Sequence, residues 1–192
     1  GYRGHDCRGN VFFSSAGDAV YPAASVVVLV GVAEGGKRRQ RFYTAHTDDV
    51  LCLAVHPDRA IFASGQKAFA RGGQGRKAPL HVWRATEHGA PGDLEVLAKL
   101  KGVHESAVTS VAFSSDGEYL LSAGLDAMHS VALWDWKRQT LLLTQVSSPR
   151  AILGLAFLRP RHRDAAASTR TASLVTKRMT SDITSPGWYV SN

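Results

Sequence analysis

Val103-His104, Thr109-Ser110-Val111-Ala112-Phe113-Ser114-Ser115-Asp116-Gly117, Ser122-Ala123-Gly124 and Ala132-Leu133-Trp134-Asp135 follow one another along the chain, and this stretch decides the fold. The same landmarks stand upstream in the same order: Ala45-His46, Leu51-Cys52-Leu53-Ala54-Val55-His56-Pro57-Asp58, Ala63-Ser64-Gly65 and His81-Val82-Trp83. His104 to Trp134 is 30 residues and His46 to Trp83 is 37, the excess lying in an insertion around Lys67 to Lys77. Between these landmarks short apolar runs rich in Val, Leu, Ala and Phe are separated by Gly, Asp, Ser and Pro. That texture predicts strands and tight turns. Long stretches of helical period with caps are missing.

The candidate strands fall into groups of four. The first group is Val11–Ser14, Ala19–Pro22, Val26–Val30 and Gln40–Tyr43. The second is Val50–Val55, Ile61–Ser64, Leu80–Arg84 and Glu95–Leu100; the third is Val108–Phe113, Tyr119–Ser122, Val131–Asp135 and Leu141–Gln145. A fourth begins at Ile152–Phe157, loses definition, and keeps one weak strand at Ala172–Thr176. A repeat of about 40–45 residues with a His near its start and Trp-Asp near its end resembles the WD40 repeat, which builds one four-stranded propeller blade. The expected fold is all-β, a partial WD40 β-propeller of about three to three and a half blades with a disordered C-terminal tail. Residues 1–44 make the first blade, 45–100 the second, 101–146 the third and 147–176 an incomplete fourth, with 177–192 an irregular tail.

In a WD blade the landmark residues meet as a buried hydrogen-bonded chain in which each polar group finds a partner. The third repeat supplies His104, Ser122, Asp126 and Trp134, with Asp126 expected to hold the imidazole, the imidazole Ser122, and Ser122 the indole N–H. Asp116-Gly117 and Pro57-Asp58 occupy the turns between first and second strands, where Asp and Gly tolerate tight geometry. The second repeat has His46, Ser64 and Trp83, but Arg84 replaces the usual Asp and no Asp follows Gly65. Its chain is expected to be incomplete or differently satisfied, and its blade less rigid.

The opening Gly1-Tyr2-Arg3-Gly4-His5-Asp6-Cys7-Arg8-Gly9-Asn10 resembles the end of the HELP motif of the echinoderm microtubule-associated protein-like (EMAP-like) family. The resemblance continues through Gly17-Asp18-Ala19-Val20-Tyr21, Ala24-Ser25-Val26-Val27-Val28-Leu29, Ala45 to Val50, Leu53 to Arg59, Ser64-Gly65-Gln66, Pro79 to Trp83 and Leu133-Trp134-Asp135-Trp136. It covers roughly residues 1 to 158. It implies the first blades of a tandem propeller that binds tubulin and organises microtubules in the cytoplasm and cytoskeleton. Gly9 departs from the second Asn usual in the family, as Arg84 departs from Trp-Asp.

The net charge of +7 is uneven: six Lys/Arg against two Asp/Glu from Arg159 onward leave +3 on the first 158 residues. A nucleic-acid binder acting through a basic tail is therefore a weak alternative, without recognition-motif support. The start at Gly1 rather than Met is expected of a piece of a longer protein. With unpaired strand edges at each end, such a piece is expected to be poorly soluble or unstable by itself. The apolar stretch Val20 to Ala33 is broken by Pro22, Ser25 and Gly31 and falls short of the roughly 20 residues that span a bilayer. Cys7 and Cys52 are too few for a disulfide framework and form no C-x-x-C pair, so reduced thiols are the default.

Four features invite sharper chemistry. His5-Asp6-Cys7 looks like a thiol or metal cluster, but neighbours along a strand point to opposite faces, so packing is preferred. His46 and His104 recur at blade starts, which favours structural imidazoles over metal ligands. The Ser14-Ser15 and Ser114-Ser115 pairs lack a nucleophile-elbow context. Gly72-Gly73-Gln74-Gly75 lacks the Lys-Ser/Thr ending of a phosphate loop. No convergent acid, base and nucleophile emerge, and neither a catalytic residue, a metal, a cofactor, a small-molecule substrate nor a membrane is expected. The candidates for contact with tubulin or microtubules are the rim residues Asp48, Asp49, Glu105, Lys67, Arg71, Arg76 and Lys77. A general WD40 adaptor of ciliary or ubiquitin-ligase type, without tubulin binding, is the alternative.

Overall fold

The computed structural model describes residues 9–32, 34–68, 77–87, 90–147, 152, 154–157 and 174–176. Three four-stranded antiparallel sheets dominate it, each in simple chain order. The first holds β1 (Phe12–Phe13), β2 (Ala19–Ala23), β3 (Val26–Val32) and β4 (Arg38–Tyr43). The second holds β5 (Val50–Val55), β6 (Ile61–Gln66), β7 (Leu80–Arg84) and β8 (Val96–Leu100). The third holds β9 (Val108–Phe113), β10 (Tyr119–Gly124), β11 (Ser130–Asp135) and β12 (Thr140–Val146). A fourth, two-stranded sheet pairs β13 (Leu155–Phe157) with β14 (Leu174–Thr176). These are blades of a partial WD40-like propeller. The expected tail 177–192 lies outside the described residues.

Blades pack face to face, which explains why the middle strands lack a clean polar alternation. Strands β6 and β7 are buried along nearly their whole length, because the second blade has a neighbour on both faces. Val20, Val27, Leu29 and Tyr43 of the first blade form one core with Val50, Leu53, Phe62 and Trp83 of the second. Cys52, Ala63, Leu80 and Val82 of the second meet Val108, Leu120, Ala132 and Trp134 of the third in another. Leu121, Ala123 and Val131 then face Ile152, with Leu155 and Phe157 of the fourth group against them. The first strands β5 and β9 of adjacent blades run beside one another. Gly65 permits their approach: a Cβ there would stand 2.6 Å from Val108 Cβ and 2.8 Å from Cys52 Sγ.

Strand ends differ from expectation where turn chemistry competes. The strand expected at Val11–Ser14 shrinks to Phe12–Phe13, because the Ser14 N–H donates to Asp18 O (2.9 Å) and the Asp18 N–H donates to Ser14 Oγ (3.0 Å). Of the expected Ile152–Phe157 and Ala172–Thr176, Leu155–Phe157 and Leu174–Thr176 are strands, while Leu153, Ala172 and Ser173 lie outside the described residues. By contrast β6 and β10 extend two residues beyond the expected Ser64 and Ser122, carrying the ladder to Gln66 and Gly124.

Candidate functional site

The buried polar chain of the third blade runs through five residues rather than four. The Trp134 Nε1–H donates to Ser122 Oγ (2.8 Å), and the Ser122 hydroxyl donates to His104 Nε2 (2.7 Å). His104 Nδ1–H then donates to Ser130 Oγ (3.1 Å), and the Ser130 hydroxyl donates to the Asp126 carboxylate. The direct Asp126–imidazole bond expected from the sequence is absent, because Ser130 stands between them. Asp126 Oδ2 also accepts the Ser130 N–H (3.2 Å), and Oδ1 the Glu105 N–H (3.3 Å). The sequence signal for Ser130 was its place at the start of β11, too generic to single out.

In the second blade the chain is satisfied differently, the second of the two alternatives expected for it. Gln66, fully buried, supplies the acceptor that the missing Asp would have supplied. His46 Nδ1–H donates to Gln66 Oε1 (2.7 Å), Ser64 donates to His46 Nε2 (2.6 Å), and Trp83 Nε1–H donates to Ser64 Oγ (3.0 Å). The Gln66 amide donates onward to Thr47 Oγ1 and Lys67 O, both at 3.0 Å. A glutamine does here what a carboxylate does elsewhere, without a buried charge. Around it His81 stacks on His46 with centroids 4.2 Å apart, and Tyr43 stacks on Trp83 at 4.5 Å. The Tyr43 hydroxyl is hydrogen-bonded to His81 Nδ1 (3.0 Å). The polar chain is differently satisfied rather than incomplete, and the rings of His81 and Tyr43 pack against it.

Burial keeps these imidazoles neutral. Desolvation pushes His46 from 6.5 down to about 4, against the raising effect of Gln66 and helped by nearby Lys99. His81 falls to about 3 through desolvation, then the charges of His46 and Lys99. His104 falls to about 4 through desolvation, with Asp126 raising and Lys77 lowering it. Both nitrogens of His46 and of His104 are engaged within the chains. They are therefore occupied as structural links rather than presented as acid or base. Among the described residues no group of three His, Cys, Asp or Glu side chains is placed to hold a metal ion.

The charged candidates meet at one rim, where the β6–β7 connection lies against the β8–β9 connection. The Ala68 N–H donates to Ser106 O (2.8 Å) and the Ala78 N–H to His104 O (2.7 Å), stitching that insertion to the third blade. Lys67 pairs with Asp49 (3.3 Å) and Lys77 with Glu105 (2.8 Å). The acidic and basic candidates thus face one another. Exposed pairs of this kind contribute about 0–1 kcal/mol each. Asp48 Oδ1 accepts the Asp49 N–H (2.7 Å) within the same loop. Arg71, Arg76 and the HELP-like Tyr2, Arg3, Gly4, His5, Asp6, Cys7 and Arg8 lie outside the described residues, whereas Asn10 is described and buried.

At the opposite rim the tight turns interlock. The Ser15 N–H donates to Arg59 O (2.8 Å), and the Gly117 carbonyl accepts from both His56 Nε2 (3.2 Å) and Trp136 Nε1 (2.9 Å). Gly117 has φ of 74°, a conformation natural to glycine. Nothing in the sequence pointed to the buried cluster at the seam of the first two blades. Arg41 donates to Asp18, to Asp93 Oδ1 (2.6 Å) and to Thr86 O (2.8 Å), while Asp18 is 1% exposed and Arg41 5%. Gly31 leaves the room that Asp18 needs.

Comparison with known proteins fits this geometry. The family described as "Echinoderm microtubule-associated protein first beta-propeller" matches residues 39–166, and the HELP motif matches residues 1–28. The chain is 41% identical over 159 residues to echinoderm microtubule-associated protein-like 2 of Rattus norvegicus, covering 82% of this chain and 23% of that protein. It is 41% identical to echinoderm microtubule-associated protein-like 1 of Homo sapiens, covering 82% of this chain and 19% of that protein. To the 77 kDa echinoderm microtubule-associated protein of Lytechinus variegatus it is 36% identical over 160 residues, covering 82% and 23%. The chain therefore spans about a fifth to a quarter of the length of the curated relatives it matches. With a family match over residues 39–166 and the HELP motif before it, the chain belongs to the echinoderm microtubule-associated protein-like family.

Proposed function

We propose that the chain is a non-catalytic interaction scaffold that binds tubulin or microtubules and acts in cytoskeleton organisation in the cytoplasm. The observation that carries this reading is identity of about 40% along 82% of the chain to proteins named for their association with microtubules. The blade architecture supports it in kind, because buried polar chains stiffen each blade and leave the rim loops as the variable, partner-facing surface. The contact residues assigned to this role are Asp48, Asp49, Glu105, Lys67 and Lys77, with Arg71 and Arg76 of the same insertion. His46, Ser64 and Trp83, like His104, Ser122, Asp126 and Trp134, act as the struts beneath that rim.

Soluble tubulin pull-down and co-sedimentation with polymerised microtubules test the reading directly. Retention that weakens in a Lys67→Glu, Lys77→Glu variant supports the rim assignment; no retention of either tubulin form sinks the tubulin role. One observation favours a general adaptor instead: Lys67 and Lys77 are already engaged by Asp49 and Glu105, which leaves less free charge at the rim. A defined partner other than tubulin, captured with no tubulin retained, selects that alternative.

A further inference from the structure

Each of the three complete blades ends in an outer strand, β4, β8 or β12, that has no paired neighbour on its far side among the described residues. The three edges differ chemically. Strand β12, Thr140–Val146, carries no charge, and β8 carries Lys99 alone. Strand β4 opens on Arg38-Arg39 directly after Lys37, three consecutive cations, followed by Gln40, Arg41, Phe42 and Tyr43. Lys37 and Arg38 are exposed and make no ion pair among the described residues. Arg39 and Arg41 instead turn toward Asp18. Lys67, Lys77, Lys137 and Arg138 elsewhere each meet an Asp or Glu within 3.3 Å.

The same edge also presents apolar surface. Alternation along a strand puts Arg38, Gln40 and Phe42 on one face. The register pairs Val32 with Arg38 and Val28 with Phe42, so Val32 joins that face. Val32 is 71% and Phe42 49% exposed. An edge with cations at one end and an aromatic ring at the other is asymmetric. Charges on an edge strand disfavour pairing with a second copy of the same strand. They favour a partner of opposite charge.

We propose that the free edge of β4 receives an acidic extended peptide as an added strand. Backbone hydrogen bonds along the edge supply affinity, and alternate side chains supply specificity. An acidic residue of the peptide lies beside Arg38, with Lys37 adjacent, and a large apolar residue four positions away lies beside Phe42. A spacing of three would send those two side chains to opposite faces. This surface is separate from the rim loops, and it holds whether or not the chain binds tubulin.

Fluorescence anisotropy tests it with a labelled, end-blocked peptide of alternating Thr that carries Glu and Phe four positions apart. The full chain is expected to bind it, and the Lys37→Glu, Arg38→Glu variant to lose at least about tenfold in affinity, with steep weakening at high salt. The peptide with Glu and Phe three apart is expected to bind less well. The same peptide N-methylated at alternate residues keeps its charge but cannot pair as a strand, and is expected not to bind. A Lys137→Glu variant alters charge away from the strand and is expected to bind as the unaltered chain does. Unaltered far-UV circular dichroism establishes that the β4 variant is folded. Three outcomes overturn the proposal: no binding by the full chain, equal binding by the β4 variant, or retained binding of the N-methylated peptide.

Discussion

Ser130 is the residue on which the geometry of the third blade departs most clearly from its sequence pattern, and Ser130→Ala tests that difference. The Ser130 hydroxyl is the acceptor for His104 Nδ1 (3.1 Å) and in turn donates to Asp126. Removing it leaves the proton of a fully enclosed imidazole, 2% exposed, without an acceptor. An orphaned buried donor costs about 1–3 kcal/mol. Ser122→Ala provides the scale, because Ser122 joins two buried partners, His104 Nε2 and Trp134 Nε1. Two orphaned groups imply a loss of about 2–6 kcal/mol for that variant. Equilibrium urea unfolding, with the slope unchanged, measures both. The expected order of destabilisation is Ser122→Ala, then Ser130→Ala, then the unaltered chain. If Asp126 held His104 directly, Ser130→Ala would cost under about 0.5 kcal/mol, as surface substitutions do, while Asp126→Ala cost far more. That pattern would refute the relay through Ser130.

Other expectations follow from the same packing. The folded-state values of His46, His104 and His81 all lie below the unfolded 6.5, so the unfolded chain binds more protons in acid. Stability is therefore full above about pH 6.5 and falls progressively as the pH drops toward 4; a urea midpoint that stays level between pH 7 and 4 would contradict it, and His81→Phe is expected to flatten the slope. At the first seam, Arg41→Met leaves the buried Asp18 carboxylate with only the longer Arg39 contact at 3.6 Å and is expected to cost about 3 kcal/mol, the low end for breaking a buried pair. Adding Asp18→Leu should recover much of that loss in a double-mutant cycle, whereas additive losses would show that the two side chains are not coupled. On the third blade, Leu141, Leu142 and Leu143 are 40%, 48% and 54% exposed on an uncharged edge strand. Concentration-dependent association is expected there and should fall in Leu142→Lys; a sharp, cooperative melt of a strictly monomeric chain would refute this.

What was readable in advance is what depends on local pattern. The strands at Val50–Val55, Leu80–Arg84 and Val108–Phe113 coincide with their expected bounds because short apolar runs end at strong turn formers. His104, Ser122 and Trp134 do come within hydrogen-bond reach. The blade order also follows from the chain, since each sheet is a meander of consecutive strands. Gln66 lies within the family resemblance, but an amide in place of a carboxylate carries no charge pattern that marks it as the partner of His46.

The partnership of the first seam is of another kind. Arg41 sits in a run of basic residues that reads as a solvated outer strand, and only the approach of the β7–β8 connection buries it against Thr86 and Asp93. The pairing of Lys67 with Asp49 and of Lys77 with Glu105 likewise spans separate loops. Such contacts join residues 18 to 52 positions apart, and their free energy depends on how closely two blades dock. Period and local turn chemistry were enough for the repeat, the strands, the family and two of the links in the third blade's chain, His104–Ser122 and Ser122–Trp134. The tertiary structure alone decided that Ser130 intervenes between Asp126 and His104, that Gln66 closes the second chain, and which charges are spent inside the molecule. Burial and distance are properties of packed neighbours, and no single strand carries them.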